Sequence, residues 1–135
     1  GETEADFKAT MQLIRDAAFE CSFSFMYCDR PGVAAAKMGP KVPEEVKSWR
    51  LAELQALQNA QQEAMLARLT GRVAQVLVEG PGKRMDSDEP AWRGRDEAGR
   101  AVNFEAPQSP GLSGRIVPVR ITKAKKHSLW GEALP

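Results

Sequence analysis

The 135-residue sequence is 42% hydrophobic and 27% charged, a composition that supports a packed core and excludes a chain disordered throughout. Its net charge is +1, but residues 1–70 carry −2 and residues 71–135 carry +3, so the second half favours an anionic partner. No apolar run is long enough to cross a membrane. Two cysteines, Cys21 and Cys28, are too few for a disulfide framework, and we expect free thiols in a reducing, cytoplasmic compartment.

The first predicted element is a helix over "ETEADFKATMQLIRDAAF". Thr3 can cap its start, and Asp6, three residues later, completes a variant of the capping box. An apolar stripe at spacings of three and four follows: Phe7, Met11, Ile14 and Ala18. This stripe predicts a helix with one buried face.

The next segment, "CSFSFMY" (21–27), alternates in polarity and predicts a strand. A loop rich in proline and glycine then leads to Pro43, which suits the first position of a helix. We expect this helix to run to about Leu69, with Glu44 and Glu45 favourably placed at its N-terminus. Glutamines interrupt its apolar stripe, so we expect it to be partly exposed.

After Gly71 the pattern changes to short strands separated by turns. The predicted strands are 72–79, 91–95, 101–104, 114–121 and 128–134, with a turn at 107–111 between the third and fourth. Five short strands in about 65 residues predict a small antiparallel barrel of the OB type. Pro118 cannot donate to a ladder, so we expect an edge strand or a bulge at that residue.

The segment "GRIVPVRITKAKKHSLWGE" loads one face of the predicted β-hairpin and its turn with cations. Val117, Val119 and Ile121 form the opposite, apolar face, which would fill the barrel. Among the aromatic residues, Phe104 and Trp130 are expected in the core, whereas Trp92 suits either the core or a base-stacking position.

Six segments in order resemble the radical-SAM methylthiotransferases. "GETEADF", "SFSFMYCDRPGVAAA" and "VPEEVKSWRLAELQALQ" are similar to the end of their radical-SAM domain and the helix after it, and "GRVAQVLVEGPGK", "GRDEAGRAVNFEAP" and "GRIVPVRITKAKKHSLWGE" are similar to blocks of their TRAM domain. The resemblance implies an α+β chain: the last helix and strand of a (β/α) partial barrel (1–42), a linker helix (43–70) and an OB-like RNA-binding TRAM barrel (71–135).

Within that family, "VEGPGK", "VNFE" and "HSLWGE" are most similar to the branch that methylthiolates N(6)-dimethylallyladenosine beside the tRNA anticodon. The resemblance implies a parent enzyme that uses S-adenosylmethionine and two [4Fe–4S] clusters. Cys21 and Cys28 lack the CxxxCxxC spacing that holds the radical-SAM cluster. We therefore expect no catalytic residue, cofactor or metal in this segment alone, and expect the missing N-terminal and radical-SAM domains as partners.

The resemblance also assigns candidate sites. Glu2 and Arg30 would lie on the S-adenosylmethionine side of the parent site, although a helix-start carboxylate and a loop salt bridge explain them equally well. The tRNA anticodon stem-loop would contact cations on the barrel, with Trp92 as a stacking residue. The cations proposed for RNA binding are Arg93, Arg95, Arg115, Arg120, Lys123, Lys125 and Lys126, and Arg100 lies on the same predicted basic face.

Two other functions remain open from the sequence. The sister branch of the family modifies an aspartate of a ribosomal protein, and there the barrel would bind protein. A free-standing RNA-binding module without any enzyme is the third possibility. Charged turn residues are also often only solvated, which would make the cations irrelevant to binding.

Overall fold

The computed structural model describes residues 1–83, 90–106 and 111–135, so most of the predicted turn at 107–111 lies outside the described residues. The described residues divide into two compact units, Gly1–Gln62 and Glu63–Pro135. The elements are α1 (Glu4–Ala17), a short 3-10 helix (Ala34–Lys37), α2 (Glu44–Ala67), β1 (Val73–Lys83), β2 (Pro90–Arg95), β3 (Ala101–Glu105), β4 (Ile116–Ala124) and β5 (Leu129–Ala133).

The predicted first helix and its cap are confirmed. The Thr3 hydroxyl accepts from the backbone N–H of Asp6, and the Thr3 backbone N–H donates to the Asp6 carboxylate at 2.8 Å. This reciprocal pair satisfies donors that every helix start leaves free. Phe7, Met11 and Ile14 form the buried face, as their spacing predicted.

The predicted strand at 21–27 is wrong. Residues 1–62 are all described, and none of them forms a strand. Phe23 and Phe25 are 90% and 84% exposed, so the alternating pattern does not mark a buried face. A strand needs a neighbour to take up its backbone hydrogen bonds, and the first unit provides none.

The predicted long helix is present as α2, and its glutamines explain how a thin apolar stripe still packs within the first unit. Gln58 is buried and donates to the Phe19 carbonyl at 2.8 Å, and Gln61 donates to the Ile14 carbonyl at 3.2 Å. These bonds satisfy backbone carbonyls at and beyond the C-terminus of α1. Polar residues in the stripe therefore bind the backbone of α1 and of the segment directly after it instead of facing only water.

The five strands close into a barrel in the order β1-β2-β3-β5-β4. Four neighbouring pairs are antiparallel, but β3 and β5 are parallel, so the expectation of a wholly antiparallel barrel is wrong. The reason is geometric. An odd number of strands cannot alternate in direction all the way around a closed ring, so at least one pair must be parallel.

The barrel interior is filled by alternate residues of the strands and by Leu66 from the end of α2. Its fully buried side chains are Val76, Val78, Val102, Phe104, Val119, Ile121 and Leu129. Two glycines allow neighbouring strands to approach closely. A Cβ on Gly94 would collide with the Leu77 carbonyl oxygen, and one on Gly131 with the Arg120 carbonyl oxygen. The predicted core position of Phe104 is confirmed.

The prediction that Pro118 marks an edge strand or a bulge is wrong, because β4 is paired on both sides and its bulge lies at Ile121–Lys123. The Pro118 carbonyl accepts from the Leu134 N–H at 2.8 Å, so the proline nitrogen also faces the β5 side. The β5 ladder ends at Ala133. The missing N–H therefore costs no ladder hydrogen bond.

Candidate nucleic-acid interface

A row of side chains crosses the outside of the barrel on four adjacent strands. Arg93 on β2 is opposite Asn103 on β3, Asn103 is opposite Trp130 on β5, and Trp130 is opposite Lys123 on β4. We call these four residues the outer row. Asn103 and Trp130 each alternate with inward-facing neighbours, such as Val102 and Phe104 on either side of Asn103. Three strand spacings place Arg93 about 14 Å from Lys123 along the surface.

A β-bulge puts Lys123 on the outside. Simple alternation after Ile121, which is buried, would return Lys123 to the barrel interior. The register with β5 shifts between Ile121 and Lys123, so Thr122 and Lys123 are both exposed and Ala124 packs against the core instead. The bulge also determines on which side of the sheet Lys125, the residue after β4, lies.

Trp130 lies on this outer face, so the expectation of a core position is wrong. Its neighbours Leu129 and Gly131 are buried, whereas Trp130 is partly exposed. The Lys125 ammonium nitrogen lies 5.0 Å from the centroid of the Trp130 ring. This distance is within the range of a cation–π interaction, so the ring and the cation form one unit beside the outer row.

The remaining predicted cations differ in how their charge is compensated. Arg95 is held by Glu79 at 3.0 Å and by the Gly99 carbonyl at 2.9 Å, and Arg100 is paired with Asp96 at 3.0 Å. Arg120 lies opposite Glu132 in the β4–β5 ladder. The structure therefore gives Arg95 and Arg100 a role in bracing the β2–β3 connection.

Other predicted cations are exposed and form no ion pair within the described residues: Arg93, Arg115, Lys123 and Lys126. Arg115 precedes β4, and eight residue steps of extended chain separate it from Lys123, or about 26 Å. Lys126 sits in the tight β4–β5 turn, closed by a bond from the Lys125 N–H to the Ser128 carbonyl at 2.8 Å. The structure thus brings Lys123, Lys125 and Lys126 together and places Arg115 apart from them.

The first unit contains the two residues expected near S-adenosylmethionine. The Glu2 carboxylate pairs with the Arg50 guanidinium at 2.7 Å, and Arg50 is largely buried and also lies over the Phe7 ring. Glu2 lines a cavity of about 430 Å³, whereas Arg30 is exposed outside it. The structure therefore does not bring Glu2 and Arg30 together around this cavity, and Glu2 braces the start of α1.

The same cavity is also lined by Tyr27, Asp29 and Lys41. The Lys41 ammonium donates to Asp29 at 2.9 Å, and this hydrogen bond, with one from Tyr27, lowers the pKa of the Asp29 carboxyl. Desolvation and the Asp29 charge raise the pKa of Tyr27. Cys21 and Cys28 are free and exposed, and the described residues hold no cluster of three or more potential metal ligands. None of the helices in the described part of the chain could span a membrane.

A family model for the TRAM domain matches residues 67–134. The chain belongs to the TRAM domain family. The tRNA-2-methylthio-N(6)-dimethylallyladenosine synthase of Nitratidesulfovibrio vulgaris is 42% identical over 98% of this chain. The enzymes with the same name from Xanthomonas axonopodis pv. citri and Bordetella petrii are 47% and 48% identical over 97% and 96% of it. The chain spans 26–29% of the length of these relatives. The resemblance drawn from the motifs is confirmed.

Within the TRAM barrel, the structure places two further residues in the outer row, Asn103 and Trp130, which the sequence did not mark as candidates for the interface. Trp92, which was assigned to it, is opposite Phe104 and packs partly against the core. The alternation in "SLWGEA" could have predicted the outward position of Trp130, because its neighbours Leu129 and Gly131 both face the interior of the barrel. The register that places Asn103 beside Trp130 depends on the parallel pairing of β3 and β5, which no local pattern encodes.

Proposed function

We propose that this TRAM barrel docks tRNA for an enzyme that methylthiolates N(6)-dimethylallyladenosine next to the anticodon. The observation that carries the proposal is the cationic outer face, where Arg93 and Lys123 end the outer row and Lys125 and Lys126 adjoin it. Similarity to synthases with that name over nearly the whole chain supports the same substrate. Because tRNA is cytoplasmic, the proposal implies a cytoplasmic location.

The role of the barrel in this proposal is positioning. Lysine and arginine contacts to phosphate fix the orientation of a nucleic acid without reading its sequence. Lys123 and Lys126 lack a carboxylate partner among the described residues, so binding phosphate does not require an existing ion pair to break. The anticodon stem-loop, held by its backbone, would then present its modified base to the catalytic domains.

The chemistry belongs to residues outside this segment. In the proposed parent enzyme, S-adenosylmethionine and two [4Fe–4S] clusters supply the methyl group and the radical chemistry. Cys21 and Cys28, with six residues between them, do not fit a cluster held by three closely spaced thiolates. We propose that residues 1–42 end the radical-SAM domain, 43–70 form a linker helix and 71–135 form the RNA-binding domain.

A second function is favoured by a different surface. The outward residues of β1 and β4 form an apolar patch: Val73, Leu77 and Ile116 are 46%, 50% and 67% exposed. Leu77 and Ile116 are direct neighbours in the β1–β4 ladder. Such a patch suits contact with protein, as expected if the barrel served the branch that modifies a ribosomal protein.

RNA binding at several salt concentrations tests the proposal. We expect the 135-residue chain to bind a tRNA anticodon stem-loop with a log–log salt slope of about −2 to −3, as for about three neutralised phosphates. Changing Lys123, Lys125 and Lys126 to alanine should weaken binding to many RNAs alike and flatten the slope, because phosphate contacts carry no sequence information.

A matched control removes the same charge elsewhere. Lys8, Arg15 and Lys37 are exposed cations of the first unit, and their change to alanine should leave the salt slope as it is. Undiminished affinity in the Lys123, Lys125 and Lys126 variant would contradict RNA docking on this face and favour the protein-binding function.

A further inference from the structure

The outer row contains an aromatic ring. A surface that only attracts phosphate needs cations but no aromatic ring. Trp130 has a large apolar ring outside the barrel, next to Asn103 on one side and Lys123 on the other. The barrel core is already filled by Leu129 from the same strand. Packing inside the barrel therefore does not account for the tryptophan.

The groups around Trp130 match the chemistry of an unpaired nucleotide. An indole ring offers a flat face on which any base can stack. The Asn103 side chain has both a donor and an acceptor, which is what the edge of an unpaired base presents. Lys123 lies on the side of Trp130 away from Asn103 and Lys125 lies over the ring, so both supply positive charge close to the adjoining phosphates.

We infer that Trp130 is a stacking site for one unpaired base of the bound RNA, with Asn103 bonding to the base edge and Lys123 and Lys125 contacting its phosphates. Lys125 covers the ring in this structure and moves from the ring to a phosphate when the base stacks. Bases within a duplex are already stacked on their neighbours, so the site selects a loop or bulge. This inference rests on the proposed RNA docking and adds the kind of RNA element that is recognised.

The test compares the binding of two RNAs to the unchanged 135-residue chain and to its Trp130→Leu variant. The RNAs are a short hairpin with 2-aminopurine at a loop position and a blunt duplex with the same number of phosphates. Trp130→Leu should weaken hairpin binding by about 5- to 140-fold, the range that corresponds to a stacking contribution of about 1–3 kcal/mol. It should also abolish the quenching of 2-aminopurine. Its binding to the duplex should stay within about twofold of the unchanged chain, because phosphate contacts remain.

Two further variants control for structural effects. Trp49→Leu removes a half-exposed tryptophan from α2 in the first unit and should leave both affinities unchanged. Trp130→Phe keeps a smaller ring and should give an intermediate hairpin affinity. Circular dichroism shows whether Trp130→Leu folds. If it does not fold, the hairpin affinity of Trp130→Phe and the quenching of 2-aminopurine by the unchanged chain test the stacking site instead.

The outcomes separate the two proposals. Equal hairpin affinity with and without Trp130, or equal losses on hairpin and duplex, would overturn the stacking site while leaving RNA docking in place. If the unchanged chain binds neither RNA, the docking proposal fails and the stacking site fails with it. Selective loss of hairpin binding supports both.

Discussion

Asp6 shows how one carboxylate and one hydroxyl specify where α1 begins. The carboxylate accepts from the Thr3 backbone N–H at 2.8 Å and from the Thr3 hydroxyl at 2.7 Å. The backbone bond and then the hydroxyl bond lower the pKa of Asp6, and the charges of the N-terminal amine and Arg50 act in the same direction. Both bonds favour the ionised form.

We predict that protonation of Asp6 removes the stabilisation of the α1 start. Its pKa is lower in the folded than in the unfolded chain, so the stabilisation is complete above the unfolded value of about 3.9 and is lost as the pH falls through the folded pKa. In a carboxyl NMR titration, Thr3→Ala should raise the pKa of Asp6 toward its ordinary value. Thr10→Ala, on the same helix, should leave it unchanged. Identical titration of Asp6 in the unchanged chain and Thr3→Ala would contradict the capping role.

In strand β4, the local sequence pattern predicts the strand and its inward face but not its bulge. The alternation from Val117 to Ile121 predicted the strand and its inward face correctly, and Val119 and Ile121 are buried. The bulge after Ile121 was not predicted, although two consecutive polar residues, Thr122 and Lys123, interrupt the alternation there, because the extra residue is set by the pairing with β5. The exposure of Lys123 therefore depends on a contact between strands.

The end of α2 belongs to the barrel core, since Leu66 is 2% exposed among the barrel side chains and Leu69 packs against the same cluster. We predict that Leu66→Ala lowers the free energy of unfolding of the second unit by about 2–5 kcal/mol, because it leaves a cavity. Urea unfolding followed by tryptophan fluorescence measures this. Leu77→Ala, which truncates a half-exposed leucine on β1, should cost less. Equal losses in the two variants would show that Leu66 is not a core residue.

The five-strand barrel could be predicted from the sequence because strand alternation and turn residues are local signals. The TRAM barrel's outer row could not, because it joins residues from β2, β3, β5 and β4 whose alignment depends on one register shift and one parallel pair. Of the predicted cations, Arg93 and Lys123 belong to that row, whereas Arg95 and Arg100 are engaged by carboxylates. Counting charges identifies the basic half of the chain, but it does not show which of its cations are free of carboxylate partners and so available to bind phosphate.

A residue-resolved map of RNA contact tests the proposed docking face most directly. Amide and indole NMR signals of the 135-residue chain would be followed while an anticodon stem-loop is added. We predict the largest shifts at Arg93, Asn103, Lys123 and Lys125 and at the Trp130 indole. Shifts concentrated on the apolar patch of Val73, Leu77 and Ile116, or no shifts in the barrel, would contradict RNA docking on the outer row.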